Sequence, residues 1–352
     1  MSTSRTGAPR RATISDAARE AGTGKTSISR YLNGELEALS PDLRARIEAA
    51  IERIGYQPNQ MARGLKRGRN RLVGMLVADL TNPYSVEVLQ GVEAACQALG
   101  YMPLICHAAN EVEMERRYVQ LLTAYRVQGV IVNALGVCEE TLRQVGEGGM
   151  PAVLVDRMVE GLAADIVGLD NMAAVELGTR HLLERGFDDI WFVVQPHERV
   201  SSRRLRDTAF RAVMGGQPHA RGRTLVLELG DAAAVEGTLA ELDRAVFDYM
   251  HGTAAKGTRR FALFAANAPV ARCLARHLSA RHGAHWQEQV ALLSIDDPEW
   301  AEFAGITTIR QPTYQIGYRA VEYLHERIDG VQMDVRHCLL PGELIVRGST
   351  SR

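Results

Sequence analysis

From Leu72 onward, short apolar runs alternate with amphipathic segments, and that rhythm admits few folds. The runs at 72–78, 102–106, 130–132, 152–155 and 166–169 read as buried strands, and 85–99 and 112–125 between them carry helical periodicity. A second series follows, with strands expected at 190–194, 225–229, 261–264 and 290–294 and helices at 173–185, 232–250 and 269–281. Such alternation builds a parallel sheet with helices on both faces, because each parallel connection needs a crossover. Two series imply two lobes, although no repeat in sequence relates them. Open parallel sheets bind ligands beyond the carboxyl ends of their strands, so a cleft between the lobes is the natural site.

The preceding residues follow another pattern. In Thr13 to Gly34 (TISDAAREAGTGKTSISRYLNG), Ile14, Ala17, Ala18 and Ala21 share one helical face, and Gly22 permits a turn. Ile28 and Leu32 give a second helix its buried side and leave Lys25, Thr26, Ser27, Ser29 and Arg30 outward. A polar helix braced by another is the form that reads base edges in a major groove. Gly22-Thr23-Gly24-Lys25-Thr26 imitates the end of a phosphate-binding loop, but Arg19 stands where its first glycine belongs and a helix stands where its strand belongs. A third helix is expected from Pro41, with Ser40 before it, to Ile54.

Charge separates the two regions. Residues 1–70 hold 13 Lys and Arg against 7 Asp and Glu, while the rest holds 28 against 35, within a net charge of −1. A basic head on an acidic body assigns nucleic acid to the head. At 352 residues and 46% apolar composition the chain fits two or three domains with substantial cores. Its cysteines (96, 106, 138, 273 and 338) are scattered, with no CxxC pair, which argues for a reducing compartment over a disulfide framework or zinc site. No apolar run approaches ~18 residues, and MSTSRTGAPRRAT lacks a signal peptide's apolar core. The expectation is a cytoplasmic protein without membrane contact, metal or cofactor. No nucleophile motif, metal-spaced cluster or complete dinucleotide fingerprint points to an enzyme, and His107, His181 and His197 are isolated.

GTGKTSISRYLNG resembles the recognition segment of the lactose-repressor (LacI/GalR) family. The likeness runs through SPDLRARIEAAIERIG (Ser40 to Gly55), Tyr56-Gln57-Pro58-Asn59, Met61 to Lys66, Asn82-Pro83-Tyr84 and Thr307-Thr308-Ile309-Arg310-Gln311-Pro312, nearly the whole chain. The family usually has Val-Ser at Thr23-Gly24 and Ser at Gly64. The resemblance implies an all-α helix-turn-helix head with a hinge helix, then a two-lobed α/β body like periplasmic sugar-binding proteins, with two parallel sheets. It places an arm at 1–10, the DNA-binding domain at 11–58, the hinge at 59–70, one lobe at 71–170 and 301–333, and the other at 171–300 and 334–352. The chain is then expected to cross between lobes near Asp170, Trp300 and Val331.

Lys25, Thr26 and Arg30 occupy the family's base-reading positions, and Arg30 suits a guanine edge. Ser15, Ser29, Asn33 and Tyr56 suit phosphates, which position without reading. In the basic connector Arg63 and Lys66 flank Leu65, a leucine otherwise unexplained there. The resemblance makes it a minor-groove wedge, two of which would meet at the centre of a pseudo-palindromic operator bound by a homodimer. A tetramer stays open, though no leucine heptad follows the body.

Polar residues follow the expected strand ends: Tyr84, Ser85, Asn133, Arg157, Asp170, Asn171, the run from Gln195 to Arg206, Asn267, Asp296 and Asp297. The resemblance assigns effector contacts to Tyr84, Arg199, Ser201, Arg206, Asn267 and Asp296, to which Ser85, Asn133, Arg157, Arg203 and Trp300 are added as candidates. The spacing from Arg199 to Arg206 is one residue longer than in some relatives, so Ser201 and Ser202 compete for one position, and Arg203 or Arg204 for the inward role. Arginine forks carboxylates and Asn and Asp suit hydroxyls, so a small sugar acid fits. Residues 57–62, 77–79, 82–86 and 296–300 resemble repressors of ketogluconate or 2-keto-3-deoxygluconate utilisation, which makes 2-ketogluconate the first candidate. A neutral sugar or a purine, a plain sugar-binding module, and a sugar-acid enzyme are the alternatives.

Overall fold

The computed structural model describes residues 11–58, 70–133, 149–158, 162–197, 200–251 and 260–351. The expected arm, most of the hinge with Arg63, Leu65 and Lys66, and the candidate Arg199 lie outside the described residues. The chain divides into two compact units between Asn70 and Arg71.

Among its described residues the head holds three α-helices: α1 (Ile14–Glu20), α2 (Lys25–Leu32) and α3 (Pro41–Ile54). Thr13 and Asp16 cap α1 reciprocally, each side chain taking the other's backbone N–H. Ser40 accepts from Leu43 N–H, Pro41 opens α3 where its missing N–H costs nothing, and Gly55 closes it in the left-handed region. Gly24 caps α2 with no side chain to offer. Ala17, Ala18, Ala21, Ile28, Leu39, Ile47 and Ala50 form the buried core, with Ile14, Leu32 and Tyr56 packed at its margin.

The body holds two six-stranded sheets. In the first, β1 (Leu72–Val77), β2 (Met102–His107), β3 (Val130–Asn133), β4 (Ala152–Val155), β5 (Asp165–Leu169) and β11 (His337–Leu340) run parallel in the order β11-β5-β4-β3-β1-β2. The second, with β6 (Asp189–Val194), β7 (Arg221–Val226), β8 (Phe261–Ala265), β9 (Ala291–Ile295), β10 (Thr307–Arg310) and β12 (Glu343–Ile345), is ordered β12-β10-β9-β8-β6-β7. It is parallel except at its edge, where β12 runs antiparallel to β10. Helices α4 (Pro83–Leu99), α5 (Val112–Ala124) and α11 (Thr313–Ile328) join the first lobe; α6 (Asn171–Glu184), α7 (Ser201–Gly215), α8 (Ala232–His251), α9 (Ala268–His282) and α10 (Glu299–Phe303) join the second. Each sheet has a buried cluster on both faces, which is why its central strands read as unbroken apolar runs. Both lobes have the same strand order, an equivalence the sequence hides.

Two expected crossings move. The chain passes from β5 into α6 at Asp170, but the second passage lies at Gln311-Pro312 and the third at Pro341-Gly342. β10 pairs with β9, so 301–310 belong to the second lobe; β11 pairs with β5, so the chain through Leu340 belongs to the first. Residues 299–306 only turn within the second lobe, and these short strands are placed by partners far away in sequence. β7 also starts earlier than the expected 225–229: Arg221 and Arg223 are polar and exposed because β7 is an edge strand.

Candidate functional site

On the head, Lys25, Thr26, Ser29 and Arg30 stand exposed on α2 and Ser15 on α1, while Asn33 and Tyr56 are partly buried. Thr26, Ser29 and Arg30 share a helix face by their spacing. Arg46 of α3, unnoticed in the sequence, donates from Nη2 to the carbonyls of Ala21 at 2.6 Å and Gly22 at 3.0 Å, closing the turn before α2.

In the body a cavity of about 550 Å³ lies between the carboxyl ends of the two sheets. Tyr84, Ser85, Asn133 and Arg157 reach it from the first lobe; Arg203, Arg206, Asn267, Asp296 and Trp300 reach it from the second. Ser201 lies one position away, its Oγ accepting from Met158 N–H across the cleft at 2.9 Å, and Ser202 takes the wall. Arg203 faces the cavity and Arg204 is exposed, because α7 begins at Ser201 and so turns Ser202, Arg203 and Arg206 inward together.

The sequence reading missed Asp156 and Gln311, while Gln195 opens the polar run it did single out. Asp156 ends β4 as Asp296 ends β9, at equivalent places in the two lobes. Both hold left-handed backbones (φ 67° and 75°), and each N–H donates at 3.0 Å, to Val167 and Ile309 respectively. A non-glycine residue in that region is uncommon, and it turns each carboxylate back over the strand ends. Only the run of an apolar strand into Asp could have signalled it.

Arg206 is buried and donates from Nε to Asn171 Oδ1 at 2.6 Å and from Nη1 to Ala266 O at 2.7 Å; its Nη2 lies 3.9 Å from Asp156 Oδ1. Ser202 Oγ donates to Asp156 Oδ2 across the cleft at 3.0 Å. Arg203 donates from Nη1 to Pro196 O at 2.8 Å and from Nη2 to Gln195 Oε1 at 3.1 Å; that oxygen also accepts from Asn267 Nδ2 at 2.8 Å. Burial, reinforced by repulsion from Arg157 and Arg206, pushes the Arg203 pKa down to about 10. Burial likewise lowers Arg157 and raises Asp296 and the Tyr84 phenol, the last also facing Asp156. Asp296 accepts from Ala268 N–H at 2.8 Å and from Gln311. The buried atoms Tyr84 Oη, Asp156 Oδ1 and Gln311 Oε1 have no hydrogen-bond partner among the described residues. Buried polar atoms are normally satisfied, so these mark places for a polar ligand. No group of His, Cys, Asp and Glu among the described residues could hold a metal ion, and none of their helices is long and apolar enough to cross a membrane.

Comparison with known proteins follows the same partition. Residues 13–59 match the family described as bacterial regulatory proteins, lacI family. Residues 70–220 match periplasmic binding proteins and sugar binding domain of LacI family, and residues 179–350 match a periplasmic binding protein-like domain. The chain is 42% identical over 342 residues to the HTH-type transcriptional regulator PtxS of Pseudomonas aeruginosa, covering 97% of this chain and 96% of that one. It is 32% identical over 341 residues to the HTH-type transcriptional regulator KdgR of Bacillus subtilis, covering 96% and 97%. In fold it is similar to the lac repressor dimer bound to operator and the anti-inducer ONPF, with a TM-score of 0.79 at 21% identity over 97% of this chain and 99% of that one.

Proposed function

Since this chain belongs to the lacI family of bacterial regulatory proteins and is a DNA-binding transcriptional repressor, we propose that its operator affinity is set by a small sugar acid, 2-ketogluconate first among candidates, bound between the lobes of its body. The observation that carries this reading is the convergence of four guanidiniums (Arg157, Arg203, Arg206 and Arg272) with four carboxylates (Asp79, Asp156, Glu228 and Asp296) in one cavity. Guanidinium forks suit a carboxylate, and Asp, Asn and Ser suit hydroxyls. Lys25, Thr26 and Arg30 read bases; Ser15, Ser29, Asn33 and Tyr56 hold phosphates; Leu65, with Arg63 and Lys66, wedges the operator centre. The working unit is a homodimer: edge strands β2 and β7 expose Met102, Ile105 and Val226, apolar surface that a second copy would cover.

Ligand control requires different effector affinities in the DNA-bound and free states. Asp156 meets Ser202 and Arg206 across the cleft, so an effector held there bears on the lobe-to-lobe angle. Release of DNA is the expected response. Calorimetric titration with 2-ketogluconate, 2-keto-3-deoxygluconate, gluconate, ribose and hypoxanthine tests the reading. One keto-acid should bind, lose at least about tenfold affinity in Arg206→Ala, and release operator DNA. Binding of ribose or hypoxanthine alone would replace the sugar-acid reading with its neutral-ligand alternative.

A further inference from the structure

The arginines of the cavity are not equivalent. Arg206 has Asp156 at 3.9 Å as a counter-charge, and two of its donors are taken by Asn171 and the Ala266 carbonyl. Among the described residues Arg203 is held by uncharged oxygens, Pro196 O and Gln195 Oε1, and no carboxylate lies within ion-pair distance of it. A guanidinium carries five N–H donors, so three of Arg203's remain beyond these two bonds. Its charge is partly buried in the cavity wall, and Arg157, across the cleft on the other lobe, adds repulsion. Asp156 and Glu228 offset that repulsion only from beyond ion-pair distance, so the partly buried charge stays costly, and an anion between Arg203 and Arg157 offsets both costs.

We propose that Arg203 is the receptor for the effector's carboxylate and sets the cleft's preference for an acid over the matching neutral sugar. This rests on the sugar-acid reading above and assigns the acid to one residue of that site. Arg206, with Asp156 and Asp296, is left to read hydroxyls. Gln195 acts on this choice as a positioning residue, because one oxygen anchors both Arg203 and Asn267. The guanidinium is thereby held in place before ligand arrives, which reduces the ordering lost on binding.

2-Ketogluconate and D-fructose differ at C1, carboxylate in one and hydroxymethyl in the other, so the pair isolates the charge. Titration of the full-length protein with each should give a preference for the acid of roughly 100-fold. In Arg203→Gln the acid should weaken by about 30-fold or more while fructose changes by less than about threefold, collapsing the preference. Arg203→Lys keeps charge without the fork and should fall between. Arg204→Gln, on the exposed neighbour, should leave both affinities unchanged. Thermal melting identifies any variant that fails to fold, and Arg203→Lys then carries the test against Arg204→Gln. A preserved acid-to-fructose ratio in Arg203→Gln, or equal weakening of both ligands in Arg203→Lys, overturns the assignment alone. A wild-type protein that binds no keto-acid overturns the sugar-acid reading, and this assignment with it.

Discussion

Arg46 belongs to α3, yet its guanidinium serves the turn between α1 and α2, donating to the Ala21 and Gly22 carbonyls. Those oxygens lie at the end of α1, where carbonyls lack intrahelical partners and carry the negative end of the helix dipole. The contact ties the angle of α2 to α3 as well as to the alanine core. Arg46→Ala should lower the head's stability by about 1 kcal/mol, since the side chain is half exposed, and weaken operator binding about fivefold. Effector affinity should not change. Fluorescence anisotropy on operator DNA, paired with calorimetry on the effector, checks both outcomes; unaltered operator affinity would relegate Arg46 to an incidental surface contact.

At the scale of elements, α4 and α11 cross so closely that two glycines face each other's backbones. A Cβ on Gly317 would collide with the Val88 carbonyl, and one on Gly91 with that of Tyr314. Backbone cannot step aside as a side chain can, so Gly317→Ala should destabilise the body by about 3 kcal/mol, read by urea unfolding. Such crossings were hidden in the sequence, whereas much else was legible. Central strands such as Val130–Asn133 and Phe261–Ala265 declare themselves because both faces are buried. The head was legible because Gly22 and Ser40 act locally, through a turn and a cap; the caps at Thr13 and Gly55 emerged only in the structure. β10, β11 and β12 were not, since strands of three or four residues get their identity from distant partners. Within the site, Arg203 and Arg206 could be nominated by type. The choice between Ser201 and Ser202 depended on where α7 starts, and Asp156 depended on a backbone angle.

At the scale of the whole molecule, the body is stapled by charge where the third passage approaches. Asp165 is buried, and Arg327 and Arg336 each donate to its carboxylate, joined by Arg336 N–H at 2.9 Å. Burial alone would raise this carboxyl, but the hydrogen bonds outweigh it and hold the pKa at about 2. The folded value lies below the unfolded value of about 3.9, so the contribution is complete above pH 4 and disappears as pH falls toward 2. It amounts to on the order of 1 to 2 kcal/mol, as both arginines remain partly solvated. Asp165→Asn should therefore flatten the body's stability between pH 4 and 2, followed by acid titration of the circular dichroism; an unchanged slope would assign acid sensitivity elsewhere. The strand order also bears on synthesis. β11 and β12 border the two sheets, yet they come from residues 337–345. The head has its own core by about residue 58, and ribosomes add roughly 5–20 residues per second. For roughly 15 to 60 s, then, a finished basic head precedes a body whose sheets both still lack an edge strand, so nascent chains in that interval have DNA-reading surface before the body that would regulate it is complete.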